Sequence, residues 1–497
     1  MSELKYDVVV VGGGNAALCA ALRAREMGAS VVVLERAPQE ERGGNSGFTG
    51  GGMRFVYENP EEIYKLVPDL SQEEIANTDF GTYTAERFYD DICKATQFRT
   101  NPDLAEILVK NSTETLHWMR KHGVRFLPEY GNHAPKVNGK FRFTSGSTLG
   151  TAGAGRGLVD ALYAAAKRSG IDVYYNAAAR HLLHDDDGVH GVEARIAGKT
   201  TQVHGSAVIL ACGGFQANAE WRTRYLGSGW DLAKVRGTRF NTGAGIEMAL
   251  KIGAQPCGNW SGAHAVGWDL NAPPYGVVSV GDGFSRHCYH YGIMVNADGR
   301  RFLDEGADFR ILTYAKYGKV ILAQPAQFAW QIFDAKALGL LRNAYHIKQV
   351  TKVRAQTLAE LLGKLDGVNK EQTLKTIAQF NAAVRRDVAF DPSTKDGRGT
   401  VGLEIPKSNW AQTIDEPPFE AYGVTCGVTF TFGGLKITTG AEVVDTEEAP
   451  IPGLYAAGEL VGGIFYFNYP GGSGLTNGAV FGRIAGAGAA RFSGKSD

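Results

Sequence analysis

Short β-branched apolar runs, each followed by a glycine cluster and then by apolar residues at helical spacing, fill residues 1–252 and return in 427–497. Between about Gly253 and Cys426 this rhythm gives way to aromatics, histidines and polar turns. The first run, Asp7–Val11, is unbroken valine after its aspartate, the pattern of a strand buried on both faces of a parallel sheet. Ala16–Met27 follows, with Leu18, Ala21, Leu22 and Ala24 at helical spacing, and Ser30–Leu34 reads as a second strand. Together they make a β-α-β unit of about 30 residues.

Further along, Glu61–Lys121 reads as mostly helical and amphipathic, and Thr144–Gly157 as a glycine-rich lead into a helix over Leu158–Ser169. Ile171–Asn176 reads as a strand, and His190–Ile196 with Thr200–Leu210 as a hairpin that ends in ACGGF. Asn241–Gly245 opens a helix over Ile246–Ile252, Thr357–Phe390 reads as helical, and Asn468–Gly478 leads into a last helix, Ala479–Ala490. The pattern predicts an α/β protein. A discontinuous Rossmann-like nucleotide-binding domain takes residues 1–252 and 427–497, and an α+β capping domain, 253–426, is inserted between them.

Gly12, Gly14 and Ala17 stand as G-x-G-x-x-A between the first strand and its helix. Gly12 permits the tight turn, Gly14 lets the backbone approach a pyrophosphate, and Ala17 lets the helix sit close on the strand. The helix start offers N–H groups and a partial positive charge to phosphate. Glu35 closes the second strand, where a carboxylate accepts hydrogen bonds from a ribose diol and repels a 2′-phosphate. Behind it, Arg42–Met53 holds six glycines, too many for a regular element, and suits a loop laid along the bound ligand. Gly213 and Gly214 again bring backbone against a ligand after an apolar strand.

Composition narrows the function. Formal net charge is zero and no basic run occurs, which argues against nucleic acid as a partner. No apolar stretch approaches the roughly 20 residues of a membrane span. The six cysteines are scattered without a CxxC pair, which fits a reducing compartment and no iron–sulfur, zinc or other metal site. The first strand begins without a signal-peptide pattern, so the expected location is the cytoplasm. Glycine, at 65 residues, is about twice its ordinary share, and clusters in loops that suit a large ligand.

The motifs VVGGGNAA with Glu35, RGGNSGFTGGGM, ACGGF, NTGAGIEMALKIGA, VNADGRRFLDEGADFR, TFTFGGLKI, GLYAAGELVGG and FGRIAG resemble the flavoprotein family of soluble fumarate reductases and the succinate dehydrogenase flavoprotein subunit. The resemblance covers nearly the whole chain. YPGGSGLTNGAVFGRIAG is most similar to the tricarballylate dehydrogenase branch, and its Tyr-Pro-Gly element to the 3-ketosteroid dehydrogenases. The resemblance implies FAD, held noncovalently because Arg42–Met53 contains no histidine for attachment. It implies cofactor contacts at Gly12, Gly14, Asn15, Ala16, Glu35, Arg36, Gly44, Asn45, Ser46, Gly52, Met53, Gly214 and Glu459. Ser473, Gly474 and Leu475 are expected near the pyrimidine end of the ring.

The resemblance also assigns the proton-accepting arginine to Arg310 and a substrate histidine to His264. The family's Glu-x-x-Arg relay is absent. Arg286 with Asp282 as its acid, or His287 or His290, are the substitutes the sequence offers. A second family histidine is replaced within Thr429–Gly434, leaving the hydroxyls of Thr429 or Thr431, and a carboxylate-binding arginine is replaced by Tyr469. Tyrosine donates one hydrogen bond where arginine gives a charged fork. The expected activity is therefore dehydrogenation of a tricarballylate-like polycarboxylate, with a separate electron-transfer protein turning the flavin over. The alternatives are a flavin-dependent alkene (enoate) reductase or 3-ketosteroid-type dehydrogenase, and an FAD electron-transfer protein without its own substrate.

Overall fold

The computed structural model describes residues 2–144 and 146–496; Ser145, in the glycine-rich stretch before the second predicted helix, lies outside the described residues. The chain opens with β1 (Ser2–Val11), α1 (Asn15–Glu26) and β2 (Val31–Leu34). Val8–Val10 have no exposed surface, because strands flank β1 on both edges and α1 and the last helix of the chain pack against it. Helices α2 (Pro102–Lys121) and α3 (Ala154–Arg168) follow, then β3 (Asp172–Tyr174), β4 (Ala177–Asp185), β5 (Gly188–Ile196) and β6 (Lys199–Leu210). β6 uses one edge twice. Its first half pairs antiparallel with β5, and Val208–Leu210 pair in parallel with a strand from the end of the chain.

The second sheet begins with β7 (Lys234–Val235), which precedes α4 (Ala244–Leu250). It continues through β8 (Pro256–Asp269), β9 (Ile293–Asn296), α5 (Arg310–Leu322), β10 (Ala329–Phe333) and β11 (Lys352–Ala355). Its spine is β12 (Phe419–Leu435), 17 residues long, which pairs with β7, β8, β10 and β11. Helix α5 lies on β8 and β12. Gly318 makes that approach possible, since a Cβ there would fall 2.4 Å from the backbone of Ala265 and Val266.

The chain then returns to the first sheet as β13 (Glu442–Val444) and β14 (Pro450–Ala456), and ends in α6 (Ser473–Phe492), which packs against α1 and α2. The parallel core of that sheet runs β3-β2-β1-β6-β14, with the β4–β5 ribbon beside β6 and β13 beside β14. This is the expected α/β class.

Three local expectations need correction. β4 gave no apolar signal because it is a largely exposed ribbon, with only Ala177 and Leu182 buried. Thr357–Phe390 is two helices, Leu358–Gly363 and Lys370–Ala383, because Gly367 turns the chain at φ +68°. The last helix begins at Ser473, inside the glycine run, since Gly472 takes φ +86° as its N-cap. Among the described residues no helix is long and apolar enough to cross a membrane, and all six cysteines are free thiols.

Candidate active site

One cleft, enclosing about 1890 Å³ with its mouth included, runs over the carboxyl ends of β1, β6 and β14 and on to the start of α5. Ligands in open α/β sheets bind on this side of the strands.

At the β1 end, Gly12 donates its N–H to the Leu34 carbonyl at 2.9 Å. Its φ is +113°, and a Cβ there would fall 2.4 Å from the Ala211 carbonyl oxygen, so only glycine fits. Gly12, Gly14, Asn15 and Ala16 line the cleft. Helix α1 has no side-chain cap at Gly14, so its N-terminus presents backbone donors and the positive end of its dipole to the cavity. Ser46 Oγ accepts the Asn15 N–H at 3.0 Å, and Asn15 Nδ2 donates to the Leu475 carbonyl at 2.8 Å, tying the starts of α1 and α6 together.

Glu35 is buried and accepts the N–H groups of Ala37 at 2.8 Å and Gly43 at 3.3 Å. Burial raises its pKa above the ordinary carboxylate value. Arg36 reaches Thr242 Oγ1 at 2.7 Å. Asn45 accepts the Thr238 N–H at 2.9 Å and bonds the Thr429 carbonyl, so the glycine-rich loop is pinned to β12. Gly44 and Gly52 are also on the wall.

Glu459 follows β14 and accepts from Thr431 N–H at 3.0 Å, and from Gln216 Nε2 and Asn241 Nδ2 at 3.2 Å each. Burial pushes its pKa up to about 7. Gly474 and Leu475 line the cleft. Ser473, at the uncapped start of α6, keeps a buried hydroxyl with no partner among the described residues. Three expected contacts stand behind the wall. Met53 and Ser473 are fully buried in the core, and Gly214 packs where a Cβ would fall 2.2 Å from Thr431 Oγ1. The residues fit a flavin dinucleotide: the glycine-led starts of α1 and α6 open on one cleft, with an acid at the end of β2 and a turn at Gly12 that a Cβ would fill.

At the α5 end, Arg310, His264, His287 and Tyr469 come together on the wall. Arg310 is the first residue of α5. Burial, with the positive charge of Arg342 nearby, pushes its pKa down to about 10. His264 on β8 is 1% exposed, and neither ring nitrogen has a partner among the described residues. Its ring stands edge-on to Tyr314 at 5.0 Å and Phe430 at 5.1 Å, and 4.8 Å from Tyr469. Burial, then the charge of Arg236, holds its pKa well below the ordinary histidine value. Thr429 and Thr431 also line the cleft.

The Arg286–Asp282 pairing is corrected. Arg286 is fully buried away from the cleft and donates to Asp269 Oδ2 at 2.8 Å, while Asp282 accepts from Arg236 Nε at 2.7 Å. The desolvated guanidinium takes the fully buried carboxylate, and Asp282 faces the cavity with Arg236. His290 packs on Tyr291 at 3.9 Å and Trp410 at 5.7 Å, off the wall.

Three residues of this wall escaped the sequence reading: Arg236, Arg342 and Tyr314. Arg236 and Arg342 lie in stretches without a motif. Tyr314 had a usable signal, because it follows Arg310 by four residues on one helix face. Among the described residues no three His, Cys, Asp or Glu side chains group as metal ligands.

The family described as FAD binding domain matches residues 7–475. The probable fumarate reductase Ifc3 of Shewanella frigidimarina (strain NCIMB 400) is 31% identical over 98% of this chain and 75% of its own length. The open conformation of a flavocytochrome c3 fumarate reductase superposes with a TM-score of 0.74 at 27% identity, covering 99% of this chain and 79% of that one. The 3-ketosteroid Δ1-dehydrogenase of Sterolibacterium denitrificans shares the fold, with a TM-score of 0.73 at 20% identity over 98% of this chain and 99% of that one. This chain therefore belongs to the FAD-binding family of the fumarate reductases and their related flavoproteins, and is an FAD-dependent oxidoreductase.

Proposed function

We propose that the chain removes two hydrogens across a carbon–carbon bond of a polycarboxylate, on the pattern of tricarballylate to cis-aconitate. The observation that carries this reading is the convergence of Arg236, Arg310 and Arg342 on one end of the cleft, where Arg236 donates to Asp282. Three guanidiniums on one wall of a buried cavity suit a multiply charged anion.

Bound FAD supplies the two-electron acceptor. Arg310 takes the proton from the carbon next to the one that loses hydride, and its lowered pKa brings it within reach of that task. His264, Tyr469 and Thr429 hold substrate oxygens, and Arg236, braced by Asp282 and Thr429, fixes the anion's position. FAD is held noncovalently, the enzyme works in the cytoplasm, and a separate electron-transfer protein reoxidises it.

A second reading, dehydrogenation or reduction beside a carbonyl, is favoured by the hydroxyl pair of Tyr314 and Tyr469, which can direct one proton at a carbonyl oxygen. Anaerobic addition of tricarballylate to the oxidised holoenzyme tests the two. Bleaching of the flavin band, lost in Arg310→Ala, supports the first reading. No bleaching, with bleaching by a cyclic 3-ketone or reoxidation of reduced flavin by an enoate, supports the second. Failure of all three leaves an electron carrier without its own substrate.

A further inference from the structure

His287 is 2% exposed and lines the cleft. Its Nδ1 lies 3.3 Å from Arg342 Nη1, and its Nε2 has no partner among the described residues. A guanidinium offers donors and no acceptor. Nδ1 must therefore carry the lone pair, and in a neutral ring the proton is then on Nε2. Burial and the charges of Arg342, Arg310 and Arg236 all oppose a second proton on this ring. The result is a buried N–H without an acceptor among the described residues, an unfavourable state unless something in the cavity accepts from it.

The surroundings hold this pair in place. Arg342 N–H bonds Cys288 Sγ at 3.4 Å. Arg286 donates to the Ala344 carbonyl at 2.8 Å, and Tyr345 accepts the Cys288 N–H at 2.8 Å while donating to Gln331 Oε1 at 2.6 Å. Segments 286–288 and 342–345 are thus stitched together behind the wall, and the His287 ring, 4.9 Å from that of Tyr314, is held on the cleft lining.

We propose that His287, with its tautomer set by Arg342, donates from Nε2 to a substrate carboxylate, and that this pair reads the third carboxylate, which a tricarboxylate has and a C4 dicarboxylate lacks. The inference rests on the polycarboxylate reading above. Arg342 is a positioning residue that also supplies charge.

The test uses oxidised holoenzyme with cis-aconitate and fumarate as probes, read by perturbation of the flavin absorbance. His287→Phe is expected to raise the Kd of cis-aconitate roughly 10- to 100-fold, with His287→Gln recovering part of the loss through its amide donor and fumarate affinity unmoved. Equal cis-aconitate binding by wild type and His287→Phe overturns the inference and leaves the polycarboxylate reading standing. Absence of cis-aconitate binding by wild type overturns both. Should His287→Phe fail to fold, ¹⁵N-histidine NMR of wild-type holoenzyme decides: a proton on Nε2 of His287 that shifts on adding cis-aconitate supports the assignment, and a proton on Nδ1 overturns it.

Discussion

The Tyr314 and Tyr469 hydroxyls lie 2.5 Å apart, a direct bond between helix α5 and the turn that opens α6. Burial raises the pKa of both phenols, so both stay protonated through the neutral range. Two hydroxyls sharing one bond leave one proton to donate elsewhere. Tyr469→Phe is expected to lower kcat/KM roughly tenfold and to leave Tyr314 with a buried unpaired hydroxyl. The Tyr314→Phe/Tyr469→Phe double variant should lose less than the product of the two single losses. Steady-state kinetics of all three variants checks this.

Arg310 titrates near 10, below the ordinary arginine value. A base must be unprotonated to act, so its active fraction rises about tenfold per pH unit up to that value. The rate of flavin reduction is expected to rise about 100-fold between pH 7 and 9. Arg310→Ala should lose a factor of about 10² to 10⁴ and the pH slope with it. Stopped-flow reduction across that range decides.

Glu459 has its folded pKa raised to about 7 by burial. A raised carboxyl pKa means that the folded state binds the proton more tightly than the unfolded one. Its favourable contribution is present in full below about 4.3, the unfolded value, and is lost as pH rises through 7. Glu459→Gln, which cannot ionise, should therefore match wild type near pH 4 and exceed it by on the order of 4 kcal/mol at pH 8, in flavin-free protein. Urea unfolding at both pH values measures it.

Arg54 has no exposed surface. It donates to the Gly471 carbonyl at 2.8 Å, to Tyr83 at 2.5 Å and to Asp91 at 3.2 Å, and its own carbonyl accepts from Thr476 Oγ1 at 2.8 Å. It clamps the turn between Tyr469 and α6. Arg54→Met leaves Asp91 without this cation and is expected to destabilise the fold by about 3 kcal/mol. It should also weaken FAD binding, since Gly474 and Leu475 follow the same turn. Thermal unfolding and flavin release test the two effects separately.

The nucleotide half was legible because its signals are local. Gly12, Gly14 and Ala17 sit within six positions, and the valine run of β1 announces a strand buried on both faces. The substrate end was half legible. Arg310 and His264 lie in recognisable segments, but Arg236 and Arg342 reach the cleft from stretches 46 residues before Asp282 and 55 residues after His287, their respective partners. Only the pairing of β7 and β8 along β12 brings the first of these near, and side-chain stitching behind the wall brings the second. Arg286 was legible as a charged residue near the site and misread in direction. Its partner Asp269 is 17 residues away on β8, and no spacing rule selects that aspartate over Asp282.

Strand β12 runs unbroken from Phe419 to Leu435, pairing at Phe419–Val424 with β10 and β11 and carrying Thr429, Phe430 and Thr431 into the cleft. For anyone recombining relatives, this makes the strand a splice constraint. A chimera joined within it would sever the sheet's spine and the substrate wall in one cut. Junctions placed before β7 and after Leu435 would instead carry Arg236, His264, Arg310, Arg342 and Thr429 as a single cassette, with Tyr469 and most of the flavin cradle left in the parent sequence.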